Sequence, residues 1–206
     1  MNNGDYLETT GWQGGVIPGI NDTARFNWGN NTVTLAGEAP LLRNFQMGVD
    51  ESGQLIVTSG GILNTTGTQN STVGNNGGAG VVGRLTINTG GIVNVTNVLF
   101  VGANATGILT NDGGALAISS HLWGGSAAVG VGTISIRNGG VINVGGNIGL
   151  GTAAAPAPHP AGDVRFSASK TVAFLTWPIF LPPIQSSPTR SWIFPVAAWS
   201  RFRVTA

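Results

Sequence analysis

Residues 83–95 read G-R-L-T-I-N-T-G-G-I-V-N-V, and the phrase occurs three more times. It stands as G-Q-L-I-V-T-S-G-G-I-L-N-T at 53–65, G-I-L-T-N-D-G-G-A-L-A-I at 107–118 and G-T-I-S-I-R-N-G-G-V-I-N-V at 132–144. The copy at 107–118 is one residue shorter than the others. The opening glycines Gly53, Gly83, Gly107 and Gly132 are spaced by 30, 24 and 25 residues. Short strands punctuated by glycine at such a period mark a stacked repeat architecture, in which no unit buries its apolar face alone.

Each period divides into three strands. The first is L-I-V, L-T-I, I-L-T or I-S-I, and the second follows a Gly-Gly turn as I-L-N-T, I-V-N-V, A-L-A-I or V-I-N-V. A third ends in an apolar residue before Gly, at 45–48 (F-Q-M-G), 71–74 (S-T-V-G), 99–102 (L-F-V-G), 127–130 (A-A-V-G) and 147–151 (N-I-G-L-G). This predicts an all-β fold: a right-handed parallel β-helix (β-solenoid) over about residues 10–151, with four to six rungs of about 24 residues. The rival is a sandwich of antiparallel hairpins, since Gly-Gly between short strands is also a hairpin signal. Repetition at rung length favours the solenoid. The predicted inward residues are Leu55, Val57, Ile62, Leu85, Ile87, Ile92, Val95, Leu109, Leu116, Ile134, Ile136 and Ile142.

Two further columns follow from aligning the phrases. Gly-Gly at 60–61, 90–91, 113–114 and 139–140 predicts a corner needing positive φ. Asn64, Asn94 and Asn143 share one position, broken by Ala117, and amides stacked at the strand spacing of about 4.8 Å form a ladder. Thr58, Asn88, Asp112 and Arg137 share the position before the glycine pair, which makes Asp112 and Arg137 neighbours on adjacent rungs and a weak exposed ion pair.

Composition agrees with this reading. Charged residues are 8% of the 206-residue chain and Gly accounts for 34, so Asn, Thr, Ser and Gly must cover most of the surface. A net charge of +1 supplies no electrostatic case for nucleic acid or an anionic membrane. Without Cys there is neither a disulfide framework nor a thiolate metal site. No apolar run reaches the length of a transmembrane span, because the longest, 172–184, is interrupted by Pro178, Pro182 and Pro183. The first residues, Met-Asn-Asn-Gly-Asp, lack a signal peptide, and the reading is that the chain is a piece of a longer exported precursor.

The vocabulary changes near residue 152. Of the 34 glycines only Gly162 lies beyond it, all 19 asparagines precede it, and eight of ten prolines follow it with Trp177, Trp192 and Trp199. The expected organisation is an N-terminal opening rung or cap (1–38), solenoid repeats (39–152) and a Pro/Trp-rich tail (153–206). Two readings of the tail stay open: a Pro-rich linker into a small segment, or sequence out of the natural frame or derived from a vector. Either predicts an irregular tail, poorly ordered or loosely draped on the solenoid.

Residues 12–24, W-Q-G-G-V-I-P-G-I-N-D-T-A, resemble the W-x-G-G-x-x-P-x-x-x-D-x-A phrase that opens many bacterial exported repeat proteins. The repeats, of the form V-G-x-x-x-x-G-x-L-T-I-x-x-G-G, resemble the same group: autotransporter passenger-like β-helices and proteins bearing a PEP-type sorting signal. The resemblance covers about residues 4–151 and implies export to the cell surface or beyond. It implies little about activity, and the Pro-Glu-Pro signal, a basic-flanked membrane span and an outer-membrane barrel are not found in the sequence.

Candidate chemistry is sparse. A polysaccharide lyase needs acidic calcium ligands and a basic residue on neighbouring rungs, and a glycoside hydrolase needs two facing carboxylates. The weak candidates are Asp50, Glu51, Asp112, Arg137 and His121, with Arg84 behind them and Lys170 in the tail. His121 and His159 are isolated, which argues against a metal site. G-A-G-V-V-G at 78–83 matches a dinucleotide fingerprint in letters but precedes a strand, not a helix. No cofactor is expected, with calcium reserved for the lyase or hydrolase alternative.

Three functions from different classes follow. The first is a structural or adhesive segment of an exported surface protein with no catalytic site, whose partners are surface glycans or cell-envelope proteins, with self-association through open solenoid ends. The second is a glycan-acting or ester/lactone hydrolase, or a lyase, using a groove on the β-helix face. The third, an ice-binding face, wants a flat Thr column, whereas Thr58, Thr66, Thr86, Thr96, Thr110 and Thr133 are scattered over columns.

Overall fold

The computed structural model describes residues 4–29, 31–77, 80–127, 129–150 and 164–169. The chain is an all-β parallel β-solenoid. Its opening section holds β1 (Gly4–Asp5), a 3-10 turn at Thr9–Gly11, and β2 (Thr23–Phe26). The next rung contributes β3 (Thr32–Leu35) and β4 (Asn44–Met47). Four full rungs follow: β5 (Gly53–Val57), β6 (Ile62–Asn64) and β7 (Ser71–Val73); then β8 (Val82–Asn88), β9 (Ile92–Val95) and β10 (Leu99–Val101). After them come β11 (Thr106–Asp112), β12 (Ala115–Ile118) and β13 (Leu122–Gly124), and finally β14 (Val131–Arg137), β15 (Val141–Val144) and β16 (Ile148–Leu150). β17 (Val164–Ser169) begins another turn.

Three sheets run the length of the solenoid, in the orders β1-β3-β5-β8-β11-β14-β17 (sheet A), β2-β4-β7-β10-β13-β16 (sheet B) and β6-β9-β12-β15 (sheet C). The chain visits them in the order A, C, B, which defines three corners per full rung. Strand β5 pairs in parallel with β8, from Gly53 opposite Gly83 to Val57 opposite Ile87, and β8 with β11 and β11 with β14 continue the register. The hairpin alternative is thereby excluded, since 53–57 pairs with the next rung and not with 62–65.

The interior is a set of rows. Val33, Leu55, Leu85, Leu109 and Ile134 are stacked in register and buried, and a second row of sheet A holds Leu35, Val57, Ile87, Asn111 and Ile136. Each fully buried aliphatic residue contributes about 1.5–3 kcal/mol of apolar transfer. Two of the expected inward residues are corrected. Ile62 and Ile92 face out, and Leu63 and Val93 take the interior positions in the row of Leu116 and Ile142. Strand alternation decides this: with Val95 inside, Val93 must be inside and Ile92 outside.

One further expectation is corrected. The third strand of the rung that opens at Gly107 is L-W-G at 122–124, not A-A-V-G at 127–130, because Leu122 lies opposite Leu99 in sheet B and the next strand, β14, begins only at Val131. Within the stretch read as the tail, Val164–Ser169 pairs in parallel with β14, Gly132 opposite Val164 through Arg137 opposite Ser169. The readings placed on 153–163 and 170–206, including His159, Lys170, Trp177, Trp192 and Trp199, lie outside the described residues.

Glycine has two uses in the stack. Gly60, Gly90, Gly113 and Gly139 at the corner from sheet A to sheet C have φ between 78° and 83°, the left-handed region that side chains disfavour. Gly107 is there for space: a Cβ on it would lie 2.0 Å from the Val73 carbonyl oxygen.

The N-terminal end is filled by aromatic rings. Tyr6 and Trp12 meet edge-on with centroids 4.9 Å apart, and Trp12 meets Phe26 at 5.8 Å. The indole Nε1 of Trp12 donates to the Tyr6 carbonyl at 2.8 Å. The opening phrase is thus structural: Trp12 and Ala24 are buried, and the Asp22 carboxylate accepts the Gly19 N–H at 2.9 Å within the turn.

Candidate functional site

The solenoid places the five sequence candidates at three different corners. Asp112 ends β11 and Arg137 ends β14, both at the corner from sheet A to sheet C. His121 lies between β12 and β13, at the corner from C to B. Asp50 and Glu51 lie between β4 and β5, at the corner from B to A. Only the first two come together.

Arg137 Nε lies 3.2 Å from Asp112 Oδ2, with the side chains 45% and 26% exposed, and Asn138 donates from its amide to Asp112 Oδ1. Both carboxylate oxygens of Asp112 are therefore engaged, and the group sits on a turn and not in a cleft. His121 Nδ1 accepts the Asn147 N–H at 2.8 Å, and its ring lies against Trp123 with centroids 5.8 Å apart. That bond uses Nδ1 as an acceptor and leaves Nε2 as the ring's donor position. At the third corner, Asn27 Oδ1 accepts the N–H groups of Val49, Asp50 and Glu51 at 3.1, 2.7 and 3.1 Å. Asn27 also donates to Asp50 Oδ2 at 3.1 Å, so the acidic pair belongs to an asparagine-anchored turn. Among the described residues no group of three His, Cys, Asp or Glu side chains gathers as a metal site requires. G-A-G-V-V-G runs into β8, and no helix follows it.

The Asn column is formed as aligned: Asn64 lies opposite Asn94, Asn94 opposite Ala117, and Ala117 opposite Asn143. Asn94 Nδ2 donates to Asn64 Oδ1 at 2.8 Å on the outer face of sheet C, and Ala117 interrupts the ladder.

Two grooves were not foreseen from the sequence. One, of about 810 Å³, lies between the opening loop and the start of sheet B and is lined by Trp12, Gln13, Asp22, Arg25, Trp28 and Asp50 among others. Its polar groups are of mixed charge, and Trp28 is half exposed.

The other, of about 410 Å³, crosses the outer face of sheet B. Its floor is the outward column Gln46, Thr72 and Phe100, which are register partners on β4, β7 and β10. Its walls include Gln69 and Asn70 on one side of β7 and Asn75 on the other. The rung that carries them is the long one, 30 residues from Gly53 to Gly83 against 24 from Gly83 to Gly107. The extra residues lie in the sequence between β6 and β7 (65–70) and between β7 and β8 (74–81), whereas the corresponding intervals around β10 are 96–98 and 102–105. The irregular spacing of the opening glycines was the sequence signal for this groove.

Compared with known proteins, the chain matches no family model, no curated protein and no solved structure.

Proposed function

We propose that the chain is a structural, adhesive segment of an exported bacterial cell-surface repeat protein, presenting and spanning rather than catalysing. The observation that carries this reading is the division of Asp50, Glu51, His121, Asp112 and Arg137 over three corners, where Asp50, His121 and the Asp112–Arg137 pair are held by local partners. The recurrent residues have structural uses: glycine in corners and close approaches, aliphatic residues in the rows, asparagine on the outer face. The likeness of residues 12–24 and of the repeats to autotransporter passenger-like and PEP-signal proteins supports a secreted or cell-surface setting. Surface glycans and cell-envelope proteins are the partners of such a segment, with fold alone carrying no activity.

The test is a panel of ester, lactone and polysaccharide substrates assayed with the purified chain, with and without calcium. No turnover is expected. Turnover that disappears in Asp112→Ala or Asp50→Ala protein, with folding unchanged, would replace this reading by the hydrolase or lyase.

A further inference from the structure

We propose that the groove over β7 binds a neutral oligosaccharide laid along the solenoid axis. The proposal deepens the adhesive reading and rests on it for its biological setting.

The first argument is an unsatisfied floor. Thr72 faces outward between Ser71 and Val73, yet it is only 6% exposed, and its hydroxyl has no hydrogen-bond partner among the described residues. Gln46, its register neighbour, likewise keeps its side-chain carbonyl oxygen shielded and unpartnered. A shielded polar atom left unpaired is unfavourable, so two of them on adjacent residues that line the same groove are a feature a ligand would relieve. Asn44 beside them is already satisfied: it accepts from Thr23 Oγ1 at 2.6 Å and donates to the Asn70 carbonyl at 2.8 Å. It holds the wall in place.

The second argument is the chemistry of the lining. Among the described residues the groove is lined by amides, hydroxyls, one aromatic ring and Ala103, and no Asp, Glu, Lys, Arg or His takes part. Amide and hydroxyl groups pair with vicinal hydroxyls as both donors and acceptors, and the Phe100 ring offers an apolar face to the C–H side of a sugar. A nucleic acid would require cations, which are missing from the lining. An extended peptide adding to a sheet would require an edge strand, but β4, β7 and β10 are interior strands of sheet B. A neutral glycan fits what remains.

The third argument is shape. The lining runs from Asn44 and Gln46 on β4, past β7 and Phe100, to Ser126 beyond β13. Three strand steps make that about 14 Å along the axis, enough for a short run of sugars. Gln69, Asn70 and Asn75 in the walls come from the longer intervals of the 30-residue rung, and inserted loops on a rigid repeat scaffold are where binding residues concentrate.

The experiment is calorimetric titration of the full chain with cellohexaose, mannohexaose and chitohexaose, with hexagalacturonate as the acidic arm. At least one neutral oligomer is expected to bind, and Thr72→Val, which keeps shape and strand preference, is expected to weaken it about tenfold. Phe100→Ala serves as the second variant, with the same expected loss, and circular dichroism verifies that both are folded. Binding of the acidic oligomer alone, binding indifferent to both variants, or no binding overturns the groove. Retention of the chain on intact bacterial envelopes despite that failure would leave the adhesive reading standing. Cleavage of a bound oligomer would keep the groove and overturn the non-catalytic reading.

Discussion

The side chain of Asn111 accepts the N–H of Gly114 at 3.0 Å, a bond that the backbone makes elsewhere in the same column. In the neighbouring rungs the second glycine of each pair donates to a main-chain carbonyl: Gly61 to Thr58, Gly91 to Asn88 and Gly140 to Arg137, each at 2.9 Å. The phrase at 107–118 lacks one turn residue, so Asp112, the register partner of Asn88 and Arg137, stands only two residues before Gly114 and the three-residue turn bond is not made. A buried amide, standing in the row of Val57, Ile87 and Ile136, replaces it and also donates to the Val141 carbonyl at 2.8 Å.

Asn111→Ile, which copies the residue in both adjacent rungs, is therefore expected to destabilise the chain by about 1–3 kcal/mol despite its gain in apolar character. It strands the Gly114 N–H and removes the donor to Val141, and unpaired interior groups outweigh one extra aliphatic contact. Urea unfolding midpoints measure this. An unchanged or raised midpoint would show that the amide does not compensate for the missing residue.

Gly107 and Gly139 should respond differently to alanine. At Gly107 the new methyl would meet two backbone atoms, Val73 O at 2.0 Å and Gly102 N at 2.2 Å, neither of which can move without breaking the stack. At Gly139 it would meet nothing within 4 Å, and only the φ of 79° resists it. Expected losses are about 3 kcal/mol or more for Gly107→Ala and about 1–2 kcal/mol for Gly139→Ala. Equal losses in thermal unfolding would contradict the distinction between space and conformation.

Tyr6 is buried among the N-terminal rings, its hydroxyl has no hydrogen-bond partner among the described residues, and burial pushes its phenol above the ordinary value of 10.0. Because the folded state holds the proton more tightly, this group's contribution to stability is complete below about pH 10 and falls as pH rises beyond it. Tyr6→Phe should be neutral or slightly stabilising at pH 7, within about 1 kcal/mol, since it removes an unpaired polar atom. It should also flatten the alkaline limb of a plot of stability against pH. A variant markedly less stable at pH 7 would mean that the hydroxyl has a partner.

The exposed pair Arg137–Asp112, 3.2 Å apart, should couple weakly. A double-mutant cycle with Arg137→Ala and Asp112→Ala is expected to return no more than about 0.5 kcal/mol, fading with added salt. A coupling above about 1.5 kcal/mol that survives high salt would point to a structural role for this corner.

Much of the fold was legible because parallel stacking turns phrase alignment directly into space. Leu55, Leu85, Leu109 and Ile134 form one row for this reason, as do the corner glycines and the pairs Asn64–Asn94 and Asp112–Arg137. Phase within a strand was less legible. In I-L-N and I-V-N-V two apolar residues stand side by side, and only the burial of the next apolar position assigns Ile62 and Ile92 to the outside. A-A-V-G at 127–130 imitates a strand end in letters, while the true partner of Val101 is Gly124, whose missing side chain hides the match. The groove over β7 was legible only as a nuisance in the repeat, the 30-residue period, since a sequence alignment records an insertion without saying which face it walls.

The strand β17 makes the last prediction. It pairs with β14 over six residues, Val164 to Ser169, although the composition around it differs from that of the repeats. A chain ending at residue 163 would leave β14 as a terminal edge, with one side of its N–H and C=O groups unpaired. Such edges recruit other strands, so this chain is expected to elute as larger species in size-exclusion chromatography while keeping its strand signal in circular dichroism. A chain ending at residue 170 keeps the pairing and is expected to stay smaller and to melt higher. Indistinguishable elution and melting for the two chains would mean that β17 does not protect the edge of sheet A.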